Sequence, residues 1–162
     1  MQRSLYFCKS WFAAKKIPIE VWTEAQAKAA HKVGRNYTVL ADSLERPFCN
    51  LTVTPKAVFV DFLDEHLRAA LSYQFQEMSA EHYFLTMAVH REYQGETDKV
   101  THGTCYIFKQ NGDVQIHREC FEPVYGLETA STRADVSSNY EPAPQFGQYE
   151  NFMRKERQLR QT

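Results

Sequence analysis

The sequence predicts an α+β fold: a single domain with one antiparallel meander sheet of about six strands, an N-terminal helix packed on it and a short C-terminal helix. Three observations predict it. Between residues 37 and 121, β-branched and aromatic residues recur with period two, and turn residues interrupt them at short intervals. Ahead of them, residues 23–34 form a capped run of helix formers. The 162 residues, 43% hydrophobic and 14% aromatic, suffice for one core without a disulfide or structural metal. The domain, 1–162, then divides into an N-terminal extension and helix (1–36), the sheet (37–121), loops (122–147) and a terminal helix or tail (148–162).

Residues 4–12 hold Leu5, Tyr6, Phe7, Trp11 and Phe12 and fit a strand or a helical turn equally well. Pro18 keeps the next segment extended. Thr23 and Gln26 make a capping box, Ala25, Ala27, Lys28, Ala29 and Ala30 carry the helix, and Gly34 supplies its left-handed end. Residues 48–53 form a strand, and Thr54-Pro55-Lys56 turns the chain. Val58, Val60 and Phe62 then alternate against Phe59, Asp61 and Leu63, and Leu71, Tyr73 and Phe75 follow. Residues 64–68 between these runs read as a hairpin turn, although Leu63, Leu67, Ala70 and Leu71 also stand at helical spacing.

Tyr83, Leu85, Met87 and Val89 on one face, with Phe84, Thr86 and Ala88 on the other, predict a long central strand covered by the helix. Asn111-Gly112 joins two alternating runs. A three-residue loop with Gly112 left-handed would pair Phe108 with Val114 and Tyr106 with Ile116. The polar stretch 129–138 and Glu141-Pro142-Ala143-Pro144 read as surface loops. Tyr149, Phe152 and Met153, ahead of Lys155-Glu156-Arg157, read as a short terminal helix with a basic end.

A net charge of −1 conceals segregation: residues 1–60 carry nine Lys/Arg against four Asp/Glu, residues 61–150 six against fifteen, and residues 151–162 four against one. Basic ends around an acidic middle disfavour nucleic acid as a partner and suit either a basic protein or a solvated acidic face. Cysteines at 8, 49, 105 and 120 are too widely spaced for CxxC pairs, and no signal-like or membrane-spanning run occurs. The expectation is a reduced, cytoplasmic protein.

No phosphate loop, dinucleotide fingerprint, nucleophile elbow or zinc motif occurs, so no cofactor or metal is expected. His82 and His90 share a strand face but stand ~26 Å apart, too far for one ion. His90, His102 and His117 meet only if neighbouring strands align them. Asp61, Asp64 and Glu65 could be an acid–base pair, a contact surface or a solvated turn. Cys105 and Cys120 read as small core residues, and the strand aromatics as core or as a pocket lining. The loop 94–101, with Glu96 and Asp98, is longer than a hairpin needs and is a candidate contact loop.

Phe62-Leu63-Asp64-Glu65-His66, Tyr83-Phe84-Leu85-Thr86-Met87-Ala88, Arg91-Glu92-Tyr93, the 103–112 hairpin, Asp135-Val136-Ser137-Ser138-Asn139-Tyr140-Glu141 and Phe146-Gly147-Gln148-Tyr149 carry a resemblance over roughly residues 18–157. In these stretches the chain resembles the immunity proteins encoded beside polymorphic toxins of Rhs-type and contact-dependent inhibition systems. The resemblance implies a non-enzymatic binder that covers the active site of a cognate toxin C-terminal domain in the cytoplasm. The partner is then a protein rather than nucleic acid or membrane, and the protein is a monomer or a 1:1 complex. Acidic residues at strand ends and loops, Asp61, Asp64, Glu65, Glu92, Glu96 and Asp98, with Tyr93 as aromatic anchor, are the expected toxin contacts. The alternative is a small-ligand-binding or hydrolytic enzyme using the concave face of a curved sheet. A structural or adaptor domain is a third. A deep pocket with convergent polar groups marks the enzyme, and a flat or convex acidic surface marks the inhibitor.

Overall fold

The computed structural model describes residues 2–157 and 160–161. It corrects the α+β expectation: 54% of the chain is strand and 8% helix, and the described residues form one α-helix beside an antiparallel sheet with eleven strands along one path and a twelfth paired beside it, rather than six. The strands are β1 (Leu5–Phe12), β2 (Ile17–Trp22), β3 (Tyr37–Ala41), β4 (Cys49–Val53), β5 (Ala57–Leu63), β6 (Ala69–Glu77) and β7 (His82–Tyr93), followed by β8 (Val100–Phe108), β9 (Asp113–Cys120), β10 (Gly126–Asp135), β11 (Tyr140–Pro142) and β12 (Arg160–Gln161). Their order is β2-β1-β3, then sequentially to β10, then β12, while β11 pairs with β7. Every pairing is antiparallel.

The helix α1 (Glu24–Lys32) starts at the expected capping box, with Thr23 accepting from the Gln26 amide and the Gln26 side chain accepting from the Thr23 amide. It is nine residues long and buries only Ala27 and Ala30; it packs on β1, β2 and β3, and its His31 meets Phe146 at 5.9 Å. A helix this short, with alanines as its buried contacts, adds no second layer over the central strand β7. The Asn111-Gly112 hairpin forms in the expected register, Phe108 opposite Val114 and Tyr106 opposite Ile116, with Gly112 at φ +95°. A Cβ on Gly112 would stand 2.9 Å from the Ala134 carbonyl oxygen, so this corner requires glycine twice over. Residues 64–68 form a turn, held by the Asp64 amide donating to the Arg68 carbonyl.

Two parts of the predicted subdivision are overturned. The N-terminal extension is a hairpin, β1–β2, that belongs to the sheet, and the segment 122–147 contains β10 and β11 where only loops were expected. The terminal helix does not form at 149–153, which makes turns; residues 158, 159 and 162 of that expected helix lie outside the described residues.

Cross-strand partners share a face. Val39, Leu51, Val60, Tyr73, Ala88, Tyr106 and Ile116 make one continuous row on what we call the inner face. The neighbouring row, on the outer face, runs Leu40, Asn50, Asp61, Ser72, Val89, Cys105 and His117. Residues 143–157 cross the inner face as a strap. Phe146 stacks on Phe7 at 5.4 Å, the Tyr149 and Tyr37 hydroxyls are 2.7 Å apart, Phe152 meets Phe75 edge-on at 5.0 Å, and the Tyr73 hydroxyl donates to the Lys155 carbonyl. Buried aromatics of this size contribute about 1.5–3 kcal/mol each by leaving water. The strap ends in an ion cluster: Glu141, 4% exposed, accepts from Arg154 at 2.6 Å and Arg157 at 2.8 Å, and the Arg157 guanidinium lies 4.8 Å over the Phe75 ring.

Candidate functional site

The seven expected contact residues divide among three places. Asp61, Tyr93 and Asp98 line a cavity of about 310 Å³ on the outer face, together with Trp11, Lys16, Asn50, Arg68 and Arg91. The turn of the β1–β2 hairpin reaches across this face, and Lys16 Nζ meets Asp98 Oδ1 at 2.7 Å. Asp64 stands beside the cavity, engaged with its own chain: its carboxylate accepts from the His66 and Arg68 amides and from Arg68 Nε at 2.8 Å. Burial works against ionisation of Asp64, but the hydrogen bonds from Arg68 and His66 outweigh it and hold its carboxyl below the usual value. Arg68 also lies 4.6 Å over the Tyr93 ring and donates to the Gly95 and Thr97 carbonyls, which ties the 94–99 loop to this corner. Burial raises the Tyr93 phenol, whose hydroxyl donates to the Ala69 carbonyl.

Glu65 is exposed on its turn and Glu96 on its loop. Glu92 alternates with Arg91 and lies on the inner face, where it pairs with His102 Nδ1 at 3.2 Å. His90 lines the same shallow depression of about 530 Å³ as Glu92, His102, Arg118, Cys120 and Glu128. His117 stands in the outer row opposite Cys105. Among the described residues, no three His, Cys, Asp or Glu side chains come together in a way that could hold a metal ion. Burial pushes the Cys8 thiol up to about 11, the Cys49 thiol up to about 12 and the Cys105 thiol upward, so all three are protonated at neutral pH.

β8, β9 and β10 form a wing that is covered only in part: Val100 lines the cavity under the hairpin, and Tyr106, Phe108, Val114 and Ile116 pack with the core. From Gly126 to Ser131 every residue of β10 is exposed. Among the described residues no strand pairs with its outer edge from residue 126 to 132, since β12 joins at Ala134 and Asp135. At the wing's end Phe121, Val124, Tyr125 and Leu127 are exposed, the last three by 76%, 59% and 54%. The Phe121 and Tyr125 rings meet at 5.9 Å, and Glu119, the cross-strand neighbour of Leu127, accepts from the Tyr125 hydroxyl; Glu122 pairs with Lys99, while Glu92 and Glu128 stand on the other face of the wing with His102 and Arg118. An exposed apolar cluster with polar groups at its rim has the composition of a protein contact surface.

Sequence reasoning missed Asn50, Arg91 and Trp11 in the cavity and the apolar cluster at 121–127. A signal existed for two of these: Asn50 is a polar residue inside an otherwise buried strand, and Val124-Tyr125-Gly126-Leu127 is an apolar run in a predicted loop. No known protein family, curated protein or solved structure matches this chain. No helix among the described residues is long and apolar enough to cross a membrane.

Proposed function

We propose that this protein is a cytoplasmic immunity protein that binds a basic toxin domain and covers its active site, with the β8–β10 wing as the contact surface. The observation that supports this reading is the wing itself: a strand exposed from Gly126 to Ser131, with Phe121, Val124, Tyr125 and Leu127 exposed at its start and Glu119 and Glu122 beside them. Carboxylates beside an apolar cluster favour a basic partner over an acidic one. Of the expected contacts, Glu92 lies on the wing's other face, paired with His102. Asp64 and Asp98 are already bonded within the chain and contribute less to a partner.

The test is co-expression with the toxin domain encoded immediately upstream, scoring growth and the 1:1 complex by size-exclusion chromatography. Wild type should protect. Leu127→Asp and Glu128→Lys, both on the exposed wing, should weaken the complex, by about 2–5 kcal/mol where the charge is buried against a toxin cation. A wild type that binds no neighbouring gene product removes the immunity reading. Unchanged affinity in both variants removes the wing.

A further inference from the structure

Exposed apolar side chains gather at the two ends of the sheet. Thirteen large ones are exposed among the described residues; five stand on the β1–β2 hairpin and four on the wing. β2 and β10 lie at opposite ends of the strand order, with only the two-residue β12 beyond β10. On the hairpin, Phe12 stands opposite Ile17, Ser10 opposite Ile19 and Cys8 opposite Val21, so Phe12, Ile17, Ile19 and Val21 share one face. Trp11 belongs to the other face and lines the cavity, which leaves the Phe12 face looking away from the body. The edge of β2 is closed to a further strand: Pro18 has no amide hydrogen to donate, and Glu20 stands at φ +49°, off the extended conformation that a ladder needs. A partner therefore meets the hairpin by its face.

Charge decides which partner that is. Residues 1–35 carry seven Lys/Arg against Glu20 and Glu24, and Lys15, exposed at the hairpin turn, has no ion-pair partner among the described residues. Residues 113–128 of the wing carry four Asp/Glu against Arg118 alone, and Glu119 and Glu122 stand beside Phe121 and Tyr125. A basic toxin would be repelled by the hairpin, whereas the wing offers its counterpart, apolar side chains beside carboxylates. We propose that the hairpin face docks on the wing of a second copy of this chain, head to tail. Phe12, Ile17, Ile19 and Val21 then cover Val124, Tyr125 and Leu127, and the basic hairpin meets Glu119 and Glu122. The contact joins two different surfaces, so a copy that has given its hairpin still has its wing free, and further copies can add. This inference goes beyond the toxin reading and needs only the two clusters.

The experiment measures the mass of the full chain by analytical ultracentrifugation, from micromolar to hundreds of micromolar protein. Wild type should form dimers and larger species at low ionic strength, and raising the salt to about 0.5 M should weaken them by roughly threefold or more. Val21→Asp removes the hairpin surface and Leu127→Asp the wing surface, so each variant alone should be a monomer. Both positions are exposed, and circular dichroism checks that each variant keeps the sheet. An equimolar mixture of the two should return a 1:1 dimer and nothing larger, because one variant keeps an intact wing and the other an intact hairpin. Three results would overturn the proposal: a wild type that stays monomeric throughout, self-association that survives either substitution, or a mixture that remains monomeric. A monomeric chain that binds phosphatidylglycerol vesicles through Val21 would assign the hairpin to a membrane surface instead. A wild type that self-associates but binds no toxin removes only the immunity reading, and one that binds toxin yet never self-associates removes only this one.

Discussion

The sheet from β3 to β7 and the wing from β8 to β10 are built by the same antiparallel pairing but differ in what covers them. In the body, Val58, Val60, Phe62 and Phe75 are fully buried under the strap, and even the outer row has buried members, Leu40 and Asn50. In the wing, Phe108, Val114 and Ala134 are buried, whereas β10 is exposed on both faces from Gly126 to Ser131. The difference shows that backbone pairing extends a sheet past the edge of its core.

Substitutions sharpen this contrast. Phe75→Ala should lower the unfolding free energy by about 3–5 kcal/mol, because it empties a site enclosed by Tyr73 and Phe152. Leu127→Ala on the wing should change it by less than about 0.5 kcal/mol. Urea denaturation measures both, and comparable losses would break the distinction between body and wing. Arg157→Met leaves Glu141 buried with Arg154 as its remaining cation and should cost about 3 kcal/mol or more. A near-neutral result would mean that the strap is held by its aromatics alone.

Gly112→Ala tests whether the wing has any rigid point. Its left-handed φ and the close Ala134 carbonyl should make the substitution cost about 1–2 kcal/mol, read as a lower urea midpoint. The smallest effect lies in the pH dependence of the body. Burial lowers the His31 pKa, so the unfolded chain takes up the proton first on acidification. The neutral ring's contribution should be complete above the ordinary histidine value of ~6.5 and should fall as pH drops toward the lower folded value. His31→Gln should flatten that part of the stability profile, and an unchanged slope would assign it to other groups.

Local chemistry settled several elements by itself. The Thr23–Gln26 box fixes the start of α1, and the Asn111-Gly112 turn fixes the register of β8 on β9. The alternation at Val58, Val60 and Phe62 and at Leu71, Tyr73 and Phe75 places β5 and β6, because each has one face buried and the other less so. The remainder depended on contacts between distant parts of the chain. β10 is mostly polar, with both faces in solvent from Gly126 to Ser131, so it carries no period-two signal and reads as a loop. β1 becomes a strand through its pairing with β2 and β3, and Tyr149, Phe152 and Met153 find their burial in a strap rather than a helix. The cavity joins Trp11, Asn50, Asp61, Arg91 and Asp98, residues that no local pattern connects. Periodicity records which side of an element is buried, whereas the segment that buries it is chosen by the fold as a whole.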